Sequence, residues 1–473
     1  MEILSRALRA MCNDNQVSYH PKCAKLKLTH LIFADDLMVF TRGDRPSIKK
    51  ATDILKLFSS WSGLQANFDK TEVYFGGVNA SLKQQILSDI GLAEGHFPFR
   101  YLGLPLNPAR LTSSMYEGLV MRIQNLVQSC ASKFLSYAGK LQVLNSVVFG
   151  LCNFWCGSLL LPKAVCIAIT IYCRQLFWGY SEGTRRVIFK SWQSICFPWV
   201  EEGFQLKAIM AWNQANMLKW LWHLDRGSGS VWSSWVSKYY LAQCSFWAFT
   251  VQEYYSESIR GVILTKDMII QRLGGMQAAK SALHGCLDHG KFSVGKAYDL
   301  IRPRLPTQIC YRAVQCCLLL PRYKVILQLA VQRKLATTDM LIQRGVHLVS
   351  RCPLCKCKTE STRHLFFKCA YSYQVLSLVL ERVQMSIPTA DLHSLLVWAH
   401  RRKPRKYWKN RWIGCSIATA VYCLWKERNA RVFAGQERSM ELLVREIHDL
   451  VGMILLHRAR VDEDTMLSGL ISH

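Results

Sequence analysis

From residue 48 to 61 the apolar positions Ile48, Ala51, Ile54, Leu55, Phe58 and Trp61 recur at three- and four-residue spacing, and Gly63 stands just beyond them. That spacing turns one helix face toward a core, and the glycine supplies the left-handed residue on which helices commonly end. A helix is predicted there. Just upstream, LTHLIFADDLMVF at 28–40 is a shorter apolar run rich in Leu, Ile, Val and Phe, which reads as two strands over 28–33 and 37–41. Ala34, Asp35 and Asp36 then fall at a tight turn. The longest apolar run, SVVFGLCNFWCGSLLLPKAVCIAITIYC at 146–173, is interrupted by Asn153, Pro162 and Lys163. Neither half reaches the roughly 20 apolar residues of a membrane span, so two buried helices joined at 161–163 are predicted. The opening MEILSRALRAMCND is an amphipathic helical start, with no apolar core or small-residue cleavage site of a signal peptide.

Composition narrows the class. A chain of 473 residues, half of them hydrophobic, has material for two to four domains with sizeable cores and is not a disordered tail. Lys and Arg outnumber Asp and Glu by 60 to 32, a formal charge of +28 with a pI near 9.6. Such an excess is usual for binders of polyanions, although a solvated basic surface has the same composition. Nineteen cysteines, an odd number scattered without a secreted-domain spacing, point to a reducing compartment, nucleus or cytoplasm, rather than to a disulfide framework.

Three constellations carry chemistry. Asp35 and Asp36 lie side by side within an apolar run, where two adjacent carboxylates repel each other and burial would be costly. A turn accounts for one Asp; a divalent-cation site, with hard oxygen ligands for Mg²⁺, accounts for both. The second is RCPLCKCKTESTRHLFFKCAYS. Cys352 and Cys355 form a C-x-x-C knuckle, and His364 and Cys369 follow, a closed ligand set suited to structural Zn²⁺. Cys357 is a spare thiol; the alternative is a chance grouping of small buried cysteines. The third is RRKPRKYWKNRW at 401–412, seven basic residues and no acid, with aromatics interleaved. Arg401, Arg402, Lys403, Arg405 and Lys406 could neutralise phosphates while Tyr407 and Trp408 stack on unpaired bases. A nuclear-import signal or an exposed basic linker would look the same.

Taken in order, three motifs resemble the palm of a plant non-LTR (LINE-type) retrotransposon reverse transcriptase. Phe33, Ala34, Asp35 and Asp36 match its F/Y-A-D-D hairpin; Gly63, Leu64, Asn67, Lys70 and Thr71 match its G-L-x-x-N-x-x-K-[ST] stretch; RYLGLPL at 100–106 matches the third. LPKAV, LKWLW, PRYKVILQLAVQRKLATTDML and VYCLWKERNARVF extend the resemblance loosely over most of the chain. The cysteine segment resembles the zinc-binding domain that follows reverse transcriptase in plant retroelements, with Glu360, Ser361, His364, Leu365, Phe366, Phe367 and Cys369 fitting its pattern.

The resemblance implies an α+β, mostly α fold: a partial palm of hairpin plus helix over 1–106, a helical thumb or connector over 107–245, an irregular linker region over 246–300, a zinc-binding domain over 301–385, and the basic run with C-terminal helices over 386–473. It implies RNA-directed DNA polymerase chemistry with Mg²⁺ in the intact enzyme, with Asp35 and Asp36 as metal ligands and Lys70 near the leaving pyrophosphate. RNA and DNA are the implied partners, and no membrane is. A two-metal nucleotidyl transferase also needs a third carboxylate on a separate strand. In the family it lies well upstream of the hairpin, whereas the 34 residues before Asp35 offer Glu2 and Asp14. VEEGFQL at 200–206 replaces the family's glycine-rich E-G-G-L-G. The expectation is a C-terminal retroelement fragment that binds zinc and nucleic acid and does not polymerise alone. The alternatives are a zinc-dependent nucleic-acid-binding module, or a polymerase completed by a missing segment in another chain.

Overall fold

The computed structural model describes residues 1–13, 17–131, 135–179, 188–227, 230–241, 244–316, 320–346, 349–382, 386–387, 391–401 and 407–471. These are mostly helical, with four two-stranded sheets among the described residues, in line with an α+β, mostly α class. Two compact units form. One comprises 1–115, 155–161 and 213–301; the other comprises 116–154, 162–212 and 302–473.

In the first unit, the helices Glu2–Ala10 and Arg45–Ser62 close a small core of Leu4, Leu8, Met11, Val17, Ala51, Ile54 and Phe58. The Arg45–Ser62 helix starts on Asp44, whose carboxylate accepts the Ser47 N–H at 2.9 Å, and ends on Gly63 at φ 72°. The cap satisfies one of the amide donors every helix leaves open at its start. The hairpin pairs His30–Phe33 with Asp36–Val39, Phe33 opposite Asp36, and Leu37 and Val39 pack against the core. Its strands are shorter than the apolar run because Thr41 bridges to Tyr19 instead. A second hairpin pairs Phe99–Tyr101 with Leu104–Leu106. Its loop residues, Leu102 at φ 51° and Gly103 at φ 82°, are both left-handed, as a tight two-residue turn requires.

The stretch 246–300, expected to be irregular, carries the helices Glu257–Leu273, Met276–Gly285 and Val294–Ile301 and a short hairpin, Leu287–Asp288 with Lys291–Phe292. The physical reason is legible afterwards. Ile259, Val262, Ile263 and Ile269 bury one face of the first helix, and Gly274 at φ 76° ends it. Asn213, buried, accepts the Leu161 N–H at 2.7 Å and donates to the Cys156 and Leu159 carbonyls at 2.9 and 2.7 Å, satisfying backbone groups where the Phe149–Ser158 helix stops.

The second unit is organised on the helix Tyr407–Phe433, whose residues 413–421 are all buried. A helix apolar all round belongs in the middle of a bundle, and Pro321–Val331, Ala370–Glu381, Leu392–Arg401 and Met440–Ile471 pack on it. The 146–173 run forms two helices, Phe149–Ser158 and Lys163–Trp178, as expected, and no helix among the described residues is long and apolar enough to cross a membrane. VEEGFQL has its own structural logic. Glu201 is buried and takes a two-pronged contact from Arg302 at 2.7 and 2.8 Å plus the Leu305 N–H at 3.0 Å. Gly203 lies so close to the chain that a Cβ there would sit 1.7 Å from the Phe197 carbonyl oxygen.

Candidate metal centre

Cys352, Cys355, His364 and Cys369 converge, with their ligand atoms all within 4.8 Å of one another. Each is delivered by local backbone chemistry. The knuckle closes when the Lys356 N–H donates to the Cys352 carbonyl at 2.8 Å and the Cys352 N–H to the Lys358 carbonyl at 2.8 Å, with Lys356 left-handed at φ 58°. That turn aims the backbone N–H groups of Leu354 and Cys355 at the Cys352 sulfur, donors that favour thiolate over thiol. His364 opens a single wide helical turn, His364–Lys368, and its backbone N–H donates to the Ser361 hydroxyl oxygen at 3.1 Å. The turn ends as the Cys369 N–H bonds the His364 carbonyl at 2.8 Å, which makes Cys369 the residue before the helix Ala370–Glu381. Leu365, Phe366 and Phe367 are buried between the two ligands, so the apolar LFF is the anchor of the turn.

The donor set fits zinc. With Zn–S near 2.3 Å and Zn–N near 2.0 Å, tetrahedral ligand atoms lie about 3.5–3.8 Å apart. Cys352 Sγ and Cys369 Sγ are 4.0 Å apart, and Cys355 Sγ and His364 Nε2 are 3.3 Å apart. Cys352, His364 and Cys369 are buried and Cys355 half-buried, leaving no wide mouth for substrate. Three sulfurs and one imidazole suit Zn²⁺ better than the hard cations. The Cys352 side chain pulls the Cys369 thiol down to about 5 by hydrogen bonding, while that same bond and burial push Cys352 far up. Two thiols held this way share a proton that a divalent cation would displace. Cys357 is exposed, bonded to the Cys355 carbonyl at 2.9 Å, and lies outside the four.

A second layer of buried charge lies behind the ligands. Glu360, fully buried, receives Arg428 through Nε at 2.7 Å and Nη2 at 2.8 Å, and also the Thr338 N–H at 2.9 Å and hydroxyl. Its carboxyl is held below the ordinary range because Arg428 and Thr338 donations outweigh a burial effect that acts the other way. Arg431 reaches the knuckle itself, donating to the Leu354 carbonyl at 3.0 Å, while its Nε meets buried Glu427 at 2.8 Å and its guanidinium lies 4.6 Å from the Tyr371 ring centre. Arg438 completes the group, with Nε 2.6 Å from Glu427. The signal was available in VYCLWKERNARVF: a glutamate and an arginine four apart, Glu427 and Arg431, share one helix face.

The palm-like acids are placed differently. Asp35 and Asp36 are both exposed at the tip of the first hairpin, after Ala34 at φ 52°. Their neighbour is Tyr101 of the RYLGLPL hairpin, whose hydroxyl is pushed up by burial and by the Asp36 charge. The Asp36 charge therefore reaches the RYLGLPL hairpin. No third carboxylate joins the two acids in a metal-holding group among the described residues, and Asp14 lies outside those residues. Lys70 is exposed at the end of the short turn Phe68–Lys70, its N–H bonded to the Asn67 side chain at 3.2 Å. Of the basic run, Arg401 ends the helix Leu392–Arg401 and lines an open cavity of about 450 Å³ with His393, Ser394, Val397 and Trp398. Arg402, Lys403, Arg405 and Lys406 lie outside the described residues; Tyr407 and Trp408 begin the next helix, with side chains not described.

The geometry defines a structural zinc module attached to a helical body. Residues 292–375 match the family described as zinc-binding in reverse transcriptase. The chain is also similar to a protein of Arabidopsis thaliana named "Putative ribonuclease H protein", 23% identical over 137 residues. That stretch covers 29% of this chain and 22% of the relative, so the chain spans about a fifth of the relative it matches. Both matches point to a retroelement-related protein.

Proposed function

We propose that this chain is the C-terminal part of a non-LTR retroelement reverse transcriptase of the plant type, and that its present capacity is zinc-dependent folding and binding of single-stranded nucleic acid. The observation that carries the reading is the Cys352, Cys355, His364 and Cys369 cluster inside the segment that matches the reverse-transcriptase zinc-binding family. The charge of +28 supports a polyanion partner, and the run from Arg401 to Trp408 is the proposed contact, cations for phosphates and aromatics for bases.

In this reading, Asp35 and Asp36 are the palm-type metal ligands, Lys70 is the lysine near the leaving pyrophosphate, and primer extension awaits a third carboxylate. Phosphoryl transfer through two metal ions needs ligands that bridge attacking and leaving oxygens, and two exposed acids leave hard cations mostly hydrated. A strand carrying that acid, from a longer polypeptide or another chain, would complete the site. Nucleus or cytoplasm is the proposed compartment, where nineteen cysteines stay reduced.

The test is a primed RNA template with Mg²⁺ or Mn²⁺ and labelled nucleotides, run beside an oligonucleotide-binding assay. Binding that weakens steeply with salt, without extension, is the expected pair of results. Extension by this chain alone, lost on Asp35→Ala, would show that a described or undescribed acid already completes the site. Absence of binding at low salt would remove nucleic acid from the proposal.

A further inference from the structure

The first unit carries a surface where exposed lysines border a row of tilted and edge-on aromatic rings, built from two stretches far apart in sequence. Residues 17–34 contain no acid, and neither do residues 226–252; the exposed Glu253 follows, next to Tyr254. The structure brings the two stretches together through polar bonds. Trp235 Nε1 donates to the Lys22 carbonyl at 2.7 Å, the Tyr239 hydroxyl donates to the Pro21 carbonyl at 3.1 Å, and the Lys25 N–H donates to that hydroxyl at 2.9 Å. Lys25 and Lys238 each donate to the other's carbonyl at 3.1 Å. Lys22, Lys25, Lys27 and Lys238 all remain exposed.

Beside these cations runs a ladder of rings. Tyr239 lies 5.8 Å from Trp235, Trp235 lies 5.3 Å from Tyr240, Tyr240 lies 5.4 Å from Tyr255, and Tyr255 lies 4.7 Å from Tyr254. Lys25 Nζ sits 5.1 Å over the Tyr239 ring. At the end of the ladder, Tyr254 is 73% exposed, an unusual position for a large ring unless something covers it. Exposed ammonium groups at the Tyr239 end of a ring ladder and an exposed ring at its Tyr254 end suit a strand of unpaired nucleotides running along it: phosphates meet the lysines, and a base stacks on the ring. An acidic protein segment would satisfy the lysines without needing Tyr254.

We infer that this lysine and tyrosine surface of the first unit is a second binding site for single-stranded nucleic acid, separate from the basic run at 401–412. It adds to the nucleic-acid reading above and does not depend on zinc. Tyr254 is the base-stacking residue, and Lys22, Lys25, Lys27 and Lys238 are the phosphate contacts.

The experiment uses the full chain with zinc and a labelled oligodeoxythymidylate, followed by fluorescence anisotropy across a salt series. Tyr254→Ala should weaken binding about tenfold at an unchanged salt slope, and Tyr254→Phe should restore it. Lys22→Gln with Lys27→Gln should reduce the slope of log affinity against log salt by about 1.4, from about 0.7 per lost phosphate contact. A chain with Lys403→Gln and Lys406→Gln, tested in parallel, reports on the other site. Unaltered binding in every Tyr254 and lysine variant of the first unit, with loss in the 403 and 406 variant, would overturn this site and leave the proposed function standing. A wild-type chain that does not bind would overturn both.

Discussion

The acid hairpin and the cysteine knuckle are both turns carrying adjacent metal-type ligands, yet they are built to different degrees of completion. At the knuckle, four ligands from two segments converge, three of them buried and Cys355 half-buried, backbone N–H groups point at one sulfur, and a further layer of buried Glu–Arg pairs grips the surrounding chain. At the hairpin, two carboxylates stand in solvent with Tyr101 for company. The lesson is that ligand type names a metal, while closure decides whether the site binds one unaided.

Breaking the knuckle should have the largest effect. A structural zinc ion contributes on the order of 10 kcal/mol in small zinc-dependent domains, so chelation, or Cys369→Ser, should unfold the region around 352–369 and expose its apolar turn, read as increased proteolysis and loss of tertiary circular dichroism. Next comes the layer behind it. Arg428→Ala leaves Glu360 buried without its partner, and breaking such a pair costs about 3–5 kcal/mol; denaturant unfolding should show that loss with the zinc ligands intact. An unchanged midpoint would mean that Glu360 finds water or protonates without penalty.

A smaller effect is expected from acid. Glu201 has its carboxyl held below the ordinary value of 4.5, first by the Arg302 hydrogen bonds. A carboxyl lowered by folding adds stability that is complete above its unfolded pKa and is lost as pH falls through the folded one. Stability should therefore decline below about pH 4.5, and Glu201→Gln should flatten part of that decline. The smallest effects belong to the open site and the spare thiol. Asp35→Asn should leave stability and zinc content unchanged and remove only millimolar-range Mg²⁺ binding, measured by calorimetry; micromolar binding that depends on Asp35 would show a site more complete than two exposed acids. Cys357→Ser should be within about 0.5 kcal/mol of the parent.

Much of this was legible in the chain because it rests on short-range chemistry. The Arg45–Ser62 helix with Gly63, the hairpin turn at Ala34 and Asp35, and the spacing of Cys352, Cys355, His364 and Cys369 are all local patterns. What escaped depends on partners remote in sequence. Glu360 and Arg428 are 68 residues apart, Glu201 and Arg302 are 101 apart, and Lys25 and Tyr239 are 214 apart; no periodicity links such pairs. The helices within 246–300 were a different miss: the apolar spacing of Ile259, Val262, Ile263 and Ile269 and the closing Gly274 were already present in the sequence.

The most direct measurement is the zinc content of the purified chain, taken for the parent, His364→Ala and Cys357→Ser. About one equivalent in the parent and in Cys357→Ser, with a large loss in His364→Ala, is expected of a closed four-ligand site. Less than about a tenth of an equivalent in the parent, or zinc that disappears with Cys357 and survives without His364, would contradict the assignment of Cys352, Cys355, His364 and Cys369.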